Sequence, residues 1–95
     1  MKEALHITIV QASLHWEQKE HNRKHFTELL AGIAPEATDL IVLPEMFTTG
    51  FTMNAVAMAE PENGTTLAWM SALAKEKQAV ITGSYIVTAE GKYYN

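Results

Sequence analysis

The run Leu40-Ile41-Val42-Leu43, entered from Asp39 and stopped at Pro44, constrains this chain more than any other stretch. Large aliphatic residues in unbroken succession do not alternate between a wet and a dry face. They read as a short strand buried on both faces, the habit of a parallel sheet. Proline has no N–H for a ladder, so the strand ends at Pro44. Glu45 then falls just past the carboxyl end of a buried strand, where open α/β sheets hold their ligands. Two readings of Glu45 stand side by side. Either it is a loop carboxylate turned back to water or accepting turn amides, or it is the acid of a site, since burying a carboxylate is costly unless it is paired or used.

The flanking segments read as an α/β chain. Strands are expected over 5–10, 39–43 and 79–88, and helices over 17–33 and 65–78. In the first helix Phe26, Leu29, Leu30 and Ile33 form one apolar stripe. Glu17 and Glu20 sit in its first turn, where they complement the dipole. Asn22 lies one turn before Phe26; it either bonds a neighbouring loop backbone or is a plain exposed Asn. Gly32 and Pro35 mark the exit. A helix between two such strands implies parallel pairing through a right-handed crossover. Trp16 is expected to cover the helix start or a sheet edge.

Beyond Pro44 comes a loop of unusual content, with Met46, Phe47, Phe51 and Met53 around Thr48-Thr49-Gly50. So much apolar surface folds over its own strand end or meets a partner. Asn54 is placed to cap a short helical turn over 55–59, and Thr65 or Thr66 to cap the second long helix. The inward side of that helix reads Leu67, Met70, Leu73, Ala74 and Lys77. Gly83-Ser84 inside the last predicted strand marks a bulge or a close backbone approach. Glu90-Gly91-Lys92 is a hairpin turn, and Tyr93-Tyr94-Asn95 opens a strand antiparallel to the one before it. The helices are too few to cover both faces of the sheet. Residues 1–95 are therefore expected to be the amino-terminal part of a larger domain.

Bulk properties remove several function classes. The net charge is −4 with no basic block, which argues against nucleic-acid binding. There is no cysteine, hence neither a disulfide framework nor a thiolate within these residues. The Met1–Gln11 stretch does not read as a signal peptide, and no window is long and apolar enough to span a bilayer. The expected location is the cytoplasm. His21 and His25 lie four apart on a helix without a third ligand, so a solvated pair is expected and no metal. The loop after the first strand is Gln11-Ala12-Ser13, not a glycine-rich phosphate cradle, which argues against a nucleotide binder.

With Leu43-Pro44-Glu45-Met46-Phe47 at a strand end between helices, the chain resembles the amino-terminal part of the nitrilase superfamily of carbon–nitrogen hydrolases. The segments that carry the likeness are Ile9-Val10-Gln11, Asn22 with Phe26, the whole of 39–47, Thr48-Thr49-Gly50-Phe51 and Ile81-Thr82-Gly83-Ser84. The Thr-Gly-Phe continuation points to the omega-amidase branch, which acts on 2-oxoglutaramate-like amides. The resemblance implies an α-β-β-α sandwich, usually assembled as a homodimer or larger oligomer, and no cofactor. It implies a Glu, Lys and Cys set in which Glu45 is the general base. The lysine and cysteine of the family lie beyond Asn95, and Lys92, in the hairpin turn, is not that lysine. The 95 residues alone are thus expected to be inactive. Phe47, Thr49 and Phe51 are expected either to line the acyl pocket or to pack the loop onto the sheet. The competing reading is a non-catalytic α/β module that binds a partner through the apolar loop 46–53.

Overall fold

A computed structural model describes residues 4–95; the first three positions of the Met1–Gln11 stretch lie outside the described residues. In chain order the elements are β1 (Ile7–Ile9), α1 (Lys19–Leu30), β2 (Leu40–Val42), α2 (Ala55–Met58), β3 (Glu60–Pro61), α3 (Thr65–Lys77), β4 (Val80–Thr82), β5 (Val87–Ala89) and β6 (Lys92–Tyr94). β2 is the centre of a parallel sheet ordered β1-β2-β4, with Ile7 beside Leu40 beside Val80 and Thr8 beside Ile41 beside Ile81. The aliphatic run that opened the sequence is thus the central parallel strand, but it is not buried on both faces as expected: within β2 only Ile41 is buried.

Strand alternation divides this sheet into two unlike faces. The row through Ile41 and Ile81 meets the helices, and Phe26 and Leu30 of α1 join Met70 and Leu73 of α3 in the core with Ile41, Leu43 and Phe47. The opposite rows carry Ile7, Ile9 and Val80, which are exposed, with Ile9 at 69% and Val80 at 66%. Parallel sheets are normally covered on both faces. Here one face is packed and the other is bare apolar surface.

Hydrogen bonding accounts for the largest difference between the expected and observed elements. The strand predicted over 79–88 is two strands in two sheets. It breaks at Gly83-Ser84 because the backbone there serves the loop after β2: Ser84 accepts the amides of Met46 and Phe47 instead of joining a ladder. The chain then re-enters a sheet ordered β3-β5-β6, in which β3 and β5 are parallel and β5 and β6 antiparallel. Glu90 and Gly91, both left-handed at φ 52 and 76, make the two-residue turn of that hairpin.

The inward stripe of α1 is Asn22, Phe26 and Leu30, whereas Leu29 is exposed and Ile33 packs on the core from beyond the helix. Glu17 is not in the first turn; it precedes the helix with φ 55. In α3 the buried positions are Thr66, Met70, Leu73 and Lys77, so Thr66 and not Leu67 begins the inward side. No threonine or asparagine side chain caps α2 or α3. Instead the Glu60 carboxylate, from β3, accepts the Thr66 amide at 2.8 Å and the Thr66 hydroxyl. A carboxylate at that end complements the helix dipole as well as the free amides. Arg23 of α1 stands 3.7 Å from the same carboxylate and donates to the Thr66 hydroxyl at 3.0 Å, so α1, β3 and α3 share one buried polar joint. At the other end of α3, the Lys77 ammonium is buried and donates to the Ile33 carbonyl at 2.6 Å.

Candidate active site

β2 delivers its chain to the site under ladder control up to the last residue. Leu43 still donates to the Thr82 carbonyl at 2.8 Å, and Val10 to the Val42 carbonyl at 2.9 Å. Pro44 then ends the strand and residues 45–49 turn. Leu43 and Phe47 are buried on either side of Glu45, and Glu45 is exposed. Among the described residues its carboxylate makes no hydrogen bond or ion pair. It is not buried in a pocket of these residues. Pro44 lines an open depression of about 450 Å³ at the carboxyl ends of β1 and β2, with Ile9, Val10, Gln11, Ala12, Val42 and Leu43.

The turn that carries Glu45 is held from several directions. Met46 is left-handed at φ 48, a conformation that costs a residue with a side chain roughly 1–2 kcal/mol. Its amide donates to Ser84 Oγ at 2.8 Å, and the Phe47 amide donates to the Ser84 carbonyl at 3.1 Å. The Gly50 amide closes back on the Met46 carbonyl at 2.9 Å. From α1, Asn22 Nδ2 donates to the Thr48 carbonyl at 2.6 Å and to the His15 carbonyl at 2.7 Å, while Asn22 Oδ1 accepts the His15 amide at 2.8 Å. The open choice about Asn22 is settled by its complete burial: it is a three-way clamp between loops. Glu17 adds a further tie, its amide donating to the Thr49 carbonyl at 2.9 Å and its carboxylate accepting the Thr52 hydroxyl. Trp16 lies over Gly50, where a Cβ would meet its ring at 3.2 Å. It therefore packs over this loop, a position that neither the expected helix start nor the expected sheet edge named.

The three expected pocket residues separate. Phe47 is fully buried, with its ring centroid 5.7 Å from that of Phe26, 5.6 Å from Trp69 and 6.2 Å from Tyr85. Thr49 is also fully buried and its hydroxyl donates to the Gly50 carbonyl at 2.8 Å. These two pack the loop onto the sheet, the second of the two readings the sequence left open for them. Phe51 alone presents its side chain, at 69% exposure. Of the loop's large apolar residues Phe47 is buried, while Phe51 and Met53, the latter at 97% exposure, stay on the surface, so the reading of 46–53 as a docking surface rests on those two side chains.

Other polar clusters do not converge on a reacting atom. His15 joins His21, with ring centroids 3.8 Å apart, and lies 6.0 Å from His25. The expected solvated pair is joined by a third ring, with His15 and His21 exposed and His25 half-buried. Among the described residues no group of three His, Cys, Asp or Glu side chains is placed to hold a metal ion. The groove of about 570 Å³ beside His21, His25, Lys24 and Glu28 is a solvated strip along one helix. Burial, and secondarily the charge of Glu60, raises the Tyr85 phenol above its usual value.

Comparison with known proteins places this geometry. The carbon-nitrogen hydrolase family model matches residues 6–95. The chain belongs to that family. It is 40% identical to the omega-amidase YafV of Escherichia coli K12 over 91 residues, 96% of this chain and 34% of that protein. The YafV omega-amidase of Yersinia enterocolitica is 42% identical over 80 residues, 84% of this chain and 30% of that protein. A solved CN-hydrolase superfamily protein of Xanthomonas campestris, XC1258, which carries an arsenic adduct in its active site, superposes with a TM-score of 0.90 at 37% identity. The superposition covers 96% of this chain and 34% of that one. This carbon-nitrogen hydrolase chain thus spans about a third of the length of the relatives it matches. The expected α/β class and the family likeness both hold.

Sequence reasoning did not find Ser84 or Glu60 as anchors. Their partners lie 38 residues away, at Met46, and 6 residues away across a turn, at Thr66, and neither spacing is periodic. Glycine at 83 was the one legible sign, and the close approach it announced is real: a Cβ there would lie 3.0 Å from Leu43 Cβ and 3.1 Å from Phe47 Cδ1. Among the described residues no helix is long and apolar enough to cross a membrane.

Proposed function

We propose that the chain is the amino-terminal part of an omega-amidase-like hydrolase that cleaves the carbon–nitrogen bond of small amides of the 2-oxoglutaramate type. Glu45 is its general base, and the lysine and cysteine of the set lie outside residues 1–95. The observation that carries this reading is the presentation of Glu45. A solvent-facing carboxylate sits at the end of the central parallel strand of a family member, on a turn tied to α1 and to the end of β4.

The chemistry assigns each part a task. The cysteine thiol gives its proton to the Glu45 carboxylate and attacks the amide carbon. The lysine ammonium stabilises the oxyanion as it forms. Collapse expels ammonia, with the proton returned by Glu45, and leaves a thioester. Glu45 then takes a proton from water, which attacks the thioester and releases the acid and the thiol. The sum is amide plus water to carboxylic acid plus ammonia, with no cofactor. Phe51 belongs to the acyl side of the pocket in this reading, supported by its exposure on the same loop. The same reading includes a cytoplasmic homodimer that binds neither nucleic acid nor membrane, in keeping with the net charge of −4 and the lack of a basic block.

The test compares ammonia release from 2-oxoglutaramate by residues 1–95 and by the full gene-encoded length. Turnover is expected only from the latter, and Glu45→Gln should lower it at least about a hundredfold. Turnover by the 95 residues alone, or a Glu45→Gln enzyme with unchanged kcat, would defeat the proposal. Phe51→Ala should shift preference among amides of different chain length and leave the melting temperature within experimental error.

A further inference from the structure

We infer that Ser84 is a positioning residue for Glu45, acting across the sheet from the end of β4; the inference rests on Glu45 being the base. Glu45 has no partner of its own among the described residues, so its direction is set by the backbone on either side. Before it, Leu43 is fixed by its ladder bond to Thr82 at 2.8 Å. After it, Met46 is left-handed, a conformation a methionine does not hold unaided. Ser84 supplies the restraint at that point. Its hydroxyl accepts the Met46 amide at 2.8 Å and its carbonyl accepts the Phe47 amide at 3.1 Å. Consecutive amides next to the base are therefore held by the main chain and side chain of one residue.

Gly83 makes this grip possible. Any side chain there would press on Leu43 and on the Phe47 ring, the two buried residues that flank Glu45. Gly83 admits the close approach and Ser84 uses it. The two restraints differ in what a substitution can remove. The carbonyl bond survives any replacement of Ser84, whereas the hydroxyl bond depends on the side chain. Without the hydroxyl, Met46 can relax towards ordinary backbone geometry and swing Glu45, while Phe47 stays anchored in the core. Loss of alignment by about an ångström suffices for a large loss of rate.

Residue-resolved amide exchange provides the first measurement. In the unmodified chain Met46 and Phe47 amides are both protected. In Ser84→Ala the Met46 amide loses protection and the Phe47 amide keeps it. The second measurement is steady-state turnover of 2-oxoglutaramate by the full gene-encoded length. Ser84→Ala is expected to lower kcat about tenfold to a hundredfold, with KM within twofold and the melting temperature within a few degrees. Ser84→Thr, which keeps the hydroxyl, should restore most of the lost kcat. A freely exchanging Met46 amide in the unmodified chain would overturn the inference. So would a Ser84→Ala enzyme with normal kcat, or one whose loss tracks its melting temperature and is not restored by threonine. Glu45→Gln separates the two proposals: if that variant keeps full kcat, the base assignment fails whatever Ser84 does; if it is inactive while Ser84→Ala is normal, the base stands and the positioning role falls.

Discussion

Replacing Asn22 by leucine tests whether the loop around Glu45 is held by one buried amide. The side chain is completely buried and serves His15 N–H at 2.8 Å, His15 C=O at 2.7 Å and Thr48 C=O at 2.6 Å. Leucine is close in size, so little of the expected loss comes from a cavity. The loss comes from stranded backbone groups. The Thr48 carbonyl is buried, and leaving such a group without a donor costs about 1–3 kcal/mol. The neighbouring Thr48 hydroxyl already has no partner, so it offers no relay to solvent. The two His15 groups are only partly buried, and water can replace part of what they lose, at about 0.5 kcal/mol each. The sum is about 3 kcal/mol. For a domain of this size 1 kcal/mol moves the melting temperature by about 4–8 °C, so Asn22→Leu should lower it by about 12–24 °C. Circular dichroism melts give this directly. Chymotryptic cleavage after Phe51 should accelerate in parallel, because the freed loop opens locally. A fall of less than about 4 °C with unchanged cleavage would show that the clamp bears no weight and that the Ser84 and Glu17 ties hold the loop without it.

Gly83→Ala should destabilise the chain by about 1–3 kcal/mol, because the added methyl meets Leu43 Cβ at 3.0 Å and Phe47 Cδ1 at 3.1 Å and both neighbours are buried; a urea midpoint equal to that of the unmodified chain would contradict this. The Tyr85 phenol, raised first by burial and then by Glu60, stays protonated in the folded chain where the unfolded chain has begun to ionise. The unfolded state then binds fewer protons, so stability is full below about pH 10 and falls as pH rises from there through the folded-state value. Urea midpoints taken from pH 8 to 11 should show this alkaline decline, and Tyr85→Phe should flatten it; equal slopes in the two proteins would remove Tyr85 as the cause.

What the sequence revealed and what it concealed divide along a physical line. Leu40–Val42 was legible as a central parallel strand from its consecutive aliphatic residues, but its burial on both faces was not borne out: only Ile41 is buried, and Leu40 and Val42 are half-buried on the bare face. The Glu90-Gly91 turn was legible because left-handed backbone selects its residues. Phe26 and Leu30 were legible by helical spacing, but the same spacing offered Leu29, and only the packing of α1 against β2 and α3 rejects it. The division of 79–88 into two strands was not legible, because Ile81 and Val87 have strand character on both sides of the break. The break depends on amides at Met46 and Phe47 that arrive from another part of the chain. Glu60 was hidden for a related reason. A helix cap is sought at the helix, and this one is supplied from β3 with Arg23 of α1 beside it.

The candidate site follows the same logic. Its location could be read from Pro44 and Glu45, since a strand stop followed by an acid is a local pattern. Its geometry could not, since the ties from Ser84, Asn22 and Glu17 that hold its turn join residues distant in sequence. Phe47 shows why composition alone leaves such a loop open between two readings. A large apolar residue on the loop after a strand end serves a pocket or a core equally well by its chemistry. Its neighbours decide: with Leu43, Phe26, Trp69 and Tyr85 around it and no surface left, Phe47 gives its energy to holding the turn and none to a ligand. Glu45, two positions earlier, is then forced outward by the same burial. The packing that buries Phe47 is what leaves the Glu45 carboxylate facing solvent.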